Sequence, residues 1–246
     1  MLAVAGLEVG YGELPVLAGV DFEVGDGQVL AVLGPRGSGK TTLARALTGV
    51  LRPRAGTITF DGRRLDRLSP RAIVKAGLVG VPQGRRIFPG LTVLDNLRVG
   101  GLVRGREAAS DVDWALGLFP GLRAQAYRPA GGLPVGEQQV LALARALVGR
   151  PKLLVVDEVS AGVSPALACQ LFDVLRGLSL AGVSLLVIDQ FVNLILALAD
   201  RAIVIENSRV SVRSEPGSLV PADLSWQSTH PGGGDPSANR SKGAPE

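Results

Sequence analysis

The stretch Gly34-Pro35-Arg36-Gly37-Ser38-Gly39-Lys40-Thr41 decides how this chain is read. It lies between the buried-type run Val29-Leu30-Ala31-Val32-Leu33 and a helical pattern from Gly39 to about Leu51. It fits G-x-x-x-x-G-K-[ST] in the strand-to-helix setting that pattern needs. Glycines let backbone N–H groups curl around a phosphate without side-chain clash, and the helix start adds partial positive charge. Lys40 is placed to reach β and γ phosphates, while Thr41, followed by Thr42, offers a hydroxyl to Mg²⁺. The bland alternative, a glycine-rich turn with an exposed lysine, leaves the flanking strand and helix as coincidence.

Downstream, Lys152-Leu153-Leu154-Val155-Val156-Asp157-Glu158 is an apolar strand ending in two acids. Two solvated acids at a strand end are common. With a phosphate loop upstream, Asp157 is read as a Mg²⁺-side ligand and Glu158 as the group that polarises attacking water.

Working outward, residues 1–33 read as strands, followed by Thr57-Ile58-Thr59-Phe60 closed by the turn pair Asp61-Gly62. Ser69-Pro70 predicts a capped helix ending near Gly77, and Leu78-Val79-Gly80-Val81 a short strand. From 88 to 148 helical patterns take over: Thr92-Val93-Leu94-Asp95 has capping-box spacing, and Ser110 is expected to cap a helix carrying Trp114, Leu116 and Phe119. Strands and helices then alternate through Ala202–Ile205, which implies a parallel sheet with helices on its faces. The chain divides into a β-rich part with the phosphate loop (1–87), an inserted helical subdomain (88–148), the second half of the α/β core (149–213) and a Pro/Gly/Ser-rich tail (214–246) expected to be disordered.

Composition bounds the rest. In 246 residues, 46% hydrophobic, there is enough apolar material for one large or two modest domains. The single cysteine, Cys169, excludes an internal disulfide framework. The single histidine, His230, lies in the tail, so imidazole catalysis and histidine-rich zinc sites are disfavoured. Net charge is +4, too little to argue for nucleic acid. The most apolar stretch, 183–205, is interrupted by Asp189, Gln190, Asn193, Asp200 and Arg201, so no membrane span is expected; the start lacks a signal-peptide pattern, and a cytoplasmic location follows.

Leu133-Pro134-Val135-Gly136-Glu137-Gln138-Gln139, leading into the helical Val140–Leu147, resembles the signature of the ATP-binding-cassette ATPases, Leu-Ser-Gly-Gly-Gln/Glu-Gln-Gln. The 21-residue separation of Gly136 and Asp157 also suits that family, and the resemblance covers about residues 1–213. It implies a P-loop NTPase fold of the α/β class, with ATP and Mg²⁺ at Gly34, Pro35, Arg36, Gly37, Ser38, Gly39, Lys40, Thr41 and Thr42. Tyr11 matches the aromatic that stacks on adenine, Gln83 the glutamine that reports γ-phosphate and Mg²⁺ to the helical subdomain, and Gly136 and Glu137 the signature contact to a partner's nucleotide. Residues 81–97 and 198–207 look like the ATP-binding subunits of branched-chain amino acid importers. Such subunits sit on the inner face of the membrane, beside permease subunits and usually a second, related ATPase. Arg85 and Arg86, beside Ile87, Phe88 and Leu91, are then read as lining the groove for a permease helix.

The chain departs from the family where the signature serine and a glycine are replaced by Pro134 and Val135. Proline has neither hydroxyl nor N–H, and valine adds a β-branched side chain where backbone must come close. Gln190 stands at the switch position where many members keep histidine, Val159 replaces the proline after the catalytic glutamate, and Arg36 stands where the subfamily tends to have asparagine. In a head-to-tail dimer Lys40, Thr41, Asp157, Glu158, Gln83 and Gln190 serve this chain's own ATP, whereas Pro134, Val135 and Gly136 serve the partner's. A competent site here, an impaired one opposite and a heterodimer are expected; the alternative is a regulatory subunit that binds nucleotide and hardly hydrolyses it.

Overall fold

The computed structural model describes residues 1–214; of the tail read as disordered, Ser214 instead closes a strand, and 215–246, with His230, lies outside the described residues. Strand β1 (Leu2–Tyr11) pairs antiparallel with β2 (Leu14–Val24) and with β4 (Ala55–Phe60), and the two-residue β5 (Arg63–Arg64) extends this to a sheet ordered β2-β1-β4-β5. The second sheet comprises β3 (Val29–Leu33), β6 (Leu78–Val81), β7 (Leu153–Asp157), β8 (Ser184–Ile188), β9 (Arg201–Glu206) and β10 (Arg209–Ser214), ordered β10-β9-β3-β8-β7-β6. Its strands run parallel except β10, which returns antiparallel at the edge.

β3, β7 and β8 are buried at every position, so they read as unbroken apolar runs rather than alternating ones. Alternation survives in where the side chains go. Leu30 and Val32 join a core cluster with Leu43 and Leu47 of helix α1 (Lys40–Leu47) and with Ile58 and Phe60 of the antiparallel sheet. Val29, Ala31 and Leu33 face a second cluster. That cluster runs on through helices α3 (Val93–Gly100), α4 (Ala108–Leu118), α5 (Pro120–Ala124) and α6 (Val135–Val148), inserted between β6 and β7, and through α7 (Pro165–Leu180) and α8 (Val192–Leu198). The helical insertion therefore shares its core with one face of the parallel sheet.

Local signals explain most boundaries. Helix α2 (Pro70–Ala76) has Ser69 accepting from the Ala72 N–H and stops at Gly77, which takes the left-handed backbone at φ 103°. Thr92 caps α3 through the Asp95 N–H, and Ser164 caps α7 through the Leu167 N–H. Three expectations are corrected. α1 ends at Leu47 rather than Leu51, because the Thr48 hydroxyl bonds back to Ala44 O and Gly49 turns the chain away. α4 begins at Ala108, continuing a 3₁₀ turn over Gly105–Glu107, so Ser110 lies inside the first turn and donates to Glu107 O instead of capping. β5 and β10 were not foreseen; each exists by pairing with a strand already laid down.

Candidate functional site

Strand order places the chemistry. Reading β3, β8, β7, β6 across the sheet, the carboxyl ends carry in turn the 34–41 loop, Asp189-Gln190, Asp157-Glu158 and Gln83. Open parallel sheets bind ligands at this edge because the strand-to-helix loops converge there.

The loop after β3 is shaped by glycine. Gly34 has φ 142°, and a Cβ there would lie 2.3 Å from Ile205 O, so no other residue fits without displacing β9. Gly39 caps α1 in the left-handed region, offers no side-chain acceptor, and no acid occupies the helix's first turn. The first-turn N–H groups, which have no intrahelical partner, are thus left for an anion. Ser38 Oγ is buried without a hydrogen-bond partner, as expected of a hydroxyl placed for a ligand oxygen. Lys40 Nζ bonds to Gly34 O at 2.7 Å and Pro35 O at 2.8 Å, held across the mouth of the loop. Burial pulls its pKa below the ordinary lysine value, opposed by the carboxylates of Glu158 and Asp157, with Arg36 adding to the lowering.

Thr41 Oγ1 donates to Asp157 Oδ1 at 3.3 Å, across the strand that separates β3 from β7. Burial pushes the Asp157 carboxyl up to about 6, the Thr41 bond pulls it down, and Glu158 raises it further. A hydroxyl and a carboxylate are hard oxygen donors of the kind Mg²⁺ takes, and no group of three or more His, Cys, Asp or Glu gathers around a metal among the described residues. This donor set fits a cation whose remaining oxygens come from phosphates and water, not one caged by protein.

Gln83 Nε2 donates to Glu158 Oε2 at 2.5 Å, joining the segment after β6 to the end of β7. Glu158 sits at φ 54°, a left-handed backbone uncommon for glutamate, held there by its N–H bond to Ile188 O at 2.8 Å. Gln190 is exposed at the end of β8, as a residue facing a ligand must be. Tyr11, at the tip of β1, accepts from Arg45 Nη1 at 2.8 Å and lies 3.4 Å from Thr42 Oγ1, which fixes its half-exposed ring beside α1.

Gly136 and Glu137 do not join this cluster. They begin α6, where Glu137 Oε2 accepts from Gln125 Nε2 at 2.7 Å and a Cβ on Gly136 would meet Leu167 Cδ2 at 2.5 Å. Pro134 stands at the N-cap of α6 and provides no side-chain cap, and Val135, its first residue, is 47% exposed.

One residue of the site escaped the sequence reading. Asp189 was read only as an interruption of an apolar stretch, but it is buried and accepts from the Ser160 N–H at 3.0 Å, the Ser160 hydroxyl, and the Gln190 and Phe191 N–H groups at 2.7 and 3.3 Å. Burial pushes its carboxyl up against these bonds. An acid closing a fully apolar strand was the available signal.

A phosphate loop, a hydroxyl–carboxylate pair and a glutamate held beside a glutamine, arrayed along one sheet edge with a helical insertion alongside, define an ATP-binding cassette. The chain belongs to the ABC transporter family, whose model matches residues 17–161. It is 36% identical over 221 residues, 89% of this chain and 95% of the relative, to the high-affinity branched-chain amino acid transport ATP-binding protein BraG of Pseudomonas aeruginosa. It is 35% identical to the probable branched-chain amino acid transport ATP-binding protein LivF of Archaeoglobus fulgidus, covering 89% and 94% of the two chains. Among solved structures, the ADP conformation of an ATP-binding cassette of an ABC transporter superposes with TM-score 0.80 at 27% identity, covering 92% of this chain and 97% of that one. A nucleotide-free cassette gives 0.78 at 26%, covering 94% and 96%. No helix among the described residues is long and apolar enough to cross a membrane.

Proposed function

We propose that this chain is the ATP-binding and hydrolysing subunit of a membrane importer for branched-chain or related amino acids, peripheral on the inner face of the cell membrane. The observation that carries the reading is the ordered row of loop, Gln190, Asp157-Glu158 and Gln83 at consecutive strand ends. Lys40 and the N–H groups at the start of α1 hold the β and γ phosphates, and Tyr11 receives the adenine. Glu158, reached by Gln83, orients a water and takes its proton as the water's oxygen bonds to the γ-phosphorus and the bond to the ADP oxygen breaks. Thr41 and Asp157 would hold Mg²⁺, which when bound neutralises charge on the phosphate oxygens.

A groove of about 650 Å³ between α2, α3 and α6 supports a permease partner: Phe88 and Leu102 give it exposed apolar surface, Arg71, Arg86 and Arg145 line it, and no acid does. Arg145 stacks 5.3 Å from the Phe88 ring, with Nη1 lacking a partner. The signature favours a second, related ATPase as the dimer partner. Pro134 lacks the hydroxyl and N–H that a partner's γ-phosphate needs, so this chain completes the opposite site poorly while its own site needs an intact signature from elsewhere.

The same signature favours a second reading, a nucleotide-binding regulator with little turnover. Isolation of the chain from detergent-solubilised membranes, followed by ATP affinity and ADP production, separates the two. A permease pair, a second ATPase and Glu158-dependent turnover support the importer subunit; tight ATP binding without turnover supports the regulator; a soluble chain with no permease contradicts both assignments to a transporter.

A further inference from the structure

We propose that Asp189 is a positioning residue that ties the loop after Glu158 to Gln190, so that the two move as one unit when nucleotide binds. The inference deepens the ATPase reading and rests on it for the identity of the ligand. The geometry is a junction. Oδ2 accepts from the Ser160 N–H, while Oδ1 accepts from the Ser160 hydroxyl and the Gln190 and Phe191 N–H groups. Ser160 lies two residues beyond Glu158 in a turn closed by the Ala161 N–H bond to Glu158 O at 3.2 Å. A displacement of the 160–162 loop by a docking subunit is therefore passed to Gln190 through one buried side chain.

Only a carboxylate serves. Both oxygens face N–H donors, so an asparagine must turn its NH₂ against one of them whichever way it is flipped. Ser160 and Asp189 are both buried, so water cannot relieve the mismatch. Val159, buried where the family has proline, does not stiffen this loop by itself, and the Asp189 bonds supply the constraint.

The test compares the membrane-isolated transporter containing the unsubstituted full-length chain with those containing Asp189→Asn, Asp189→Glu and Ser160→Ala, using hydrogen exchange with and without Mg-ATP, fluorescent-nucleotide affinity and ADP production. In the unsubstituted chain Mg-ATP protects 158–162 and 189–192 together. In Asp189→Asn, ATP affinity stays within about threefold, protection of the two segments separates, and kcat falls about tenfold or more at little-changed KM, the size expected from slight misplacement of catalytic groups. Asp189→Glu restores part of kcat, and Ser160→Ala gives an intermediate loss. Joint protection surviving in Asp189→Asn overturns the proposal, as does a kcat loss that merely tracks falling nucleotide affinity and thermal stability. If the assembled transporter shows no Glu158-dependent turnover while exchange behaves as stated, the hydrolysis reading fails and the Asp189 linkage stands.

Discussion

The Gln83 amide donates to the Glu158 carboxylate, so the residue proposed to orient water is held by the segment leading into the helical insertion. Gln83→Ala is expected to lower kcat by about 5–30-fold while ATP affinity changes less than about threefold, because the loss falls on alignment and not on phosphate binding. Steady-state ADP release and nucleotide titration check this; equal losses in both would place Gln83 in binding instead.

The phosphate loop's shape predicts a ranking. A Cβ at Gly34 strikes Ile205 O, whereas one at Gly37, also at positive φ, meets nothing within 4 Å. Gly37→Ala is expected to cost about 1–2 kcal/mol, the ordinary penalty of left-handed backbone, and Gly34→Ala clearly more. Thermal denaturation of the two variants gives the order, and equal shifts in Tm would show that β9 yields freely.

Asp157 makes metal-free stability depend on pH. Its folded pKa of about 6 stands above the unfolded value, so folding takes up a proton. The burial penalty is present above pH 6 and lifts as pH falls from 6 toward 4. Asp157→Asn is therefore expected to stabilise the metal-free protein by about 1–3 kcal/mol at pH 7.5 and by little at pH 4. Urea unfolding at the two pH values with EDTA measures it. A variant destabilised equally at both would mean that the carboxylate, not its desolvation, dominates.

Local chemistry made much of this legible. The Gly34–Thr41 loop, the Lys152–Glu158 strand, the Ser69 and Thr92 caps and the alternation behind the parallel sheet are all short-range signals, and each element formed where they placed it. What stayed hidden depends on residues far apart in the chain. β5 holds only two residues and follows from pairing with β4, and β10 pairs with β9 at an edge. Asp189 meets Ser160 across 29 positions. Ser110 misled because a good capping residue does not fix a helix start when a preceding 3₁₀ turn runs into it.

The signature offers a gain of function. Pro134 occupies the N-cap of α6 with no side-chain acceptor, so Pro134→Ser supplies a cap of about 1 kcal/mol. Combined with Val135→Gly, it also restores the groups that reach a partner's phosphate. The double variant is expected to raise ATPase turnover in the assembled transporter, with α6 no less stable. Slower turnover in that assembly would reverse the assignment of the impaired site.

The most direct test of the account counts ADP formed per complex in a single turnover of the membrane-isolated transporter, with this chain unsubstituted or carrying Glu158→Gln. Hydrolysis is expected chiefly at the site built on Lys40, Asp157 and Glu158, with Glu158→Gln lowering its rate about 100-fold or more while ATP still binds. An unchanged rate in Glu158→Gln would contradict it.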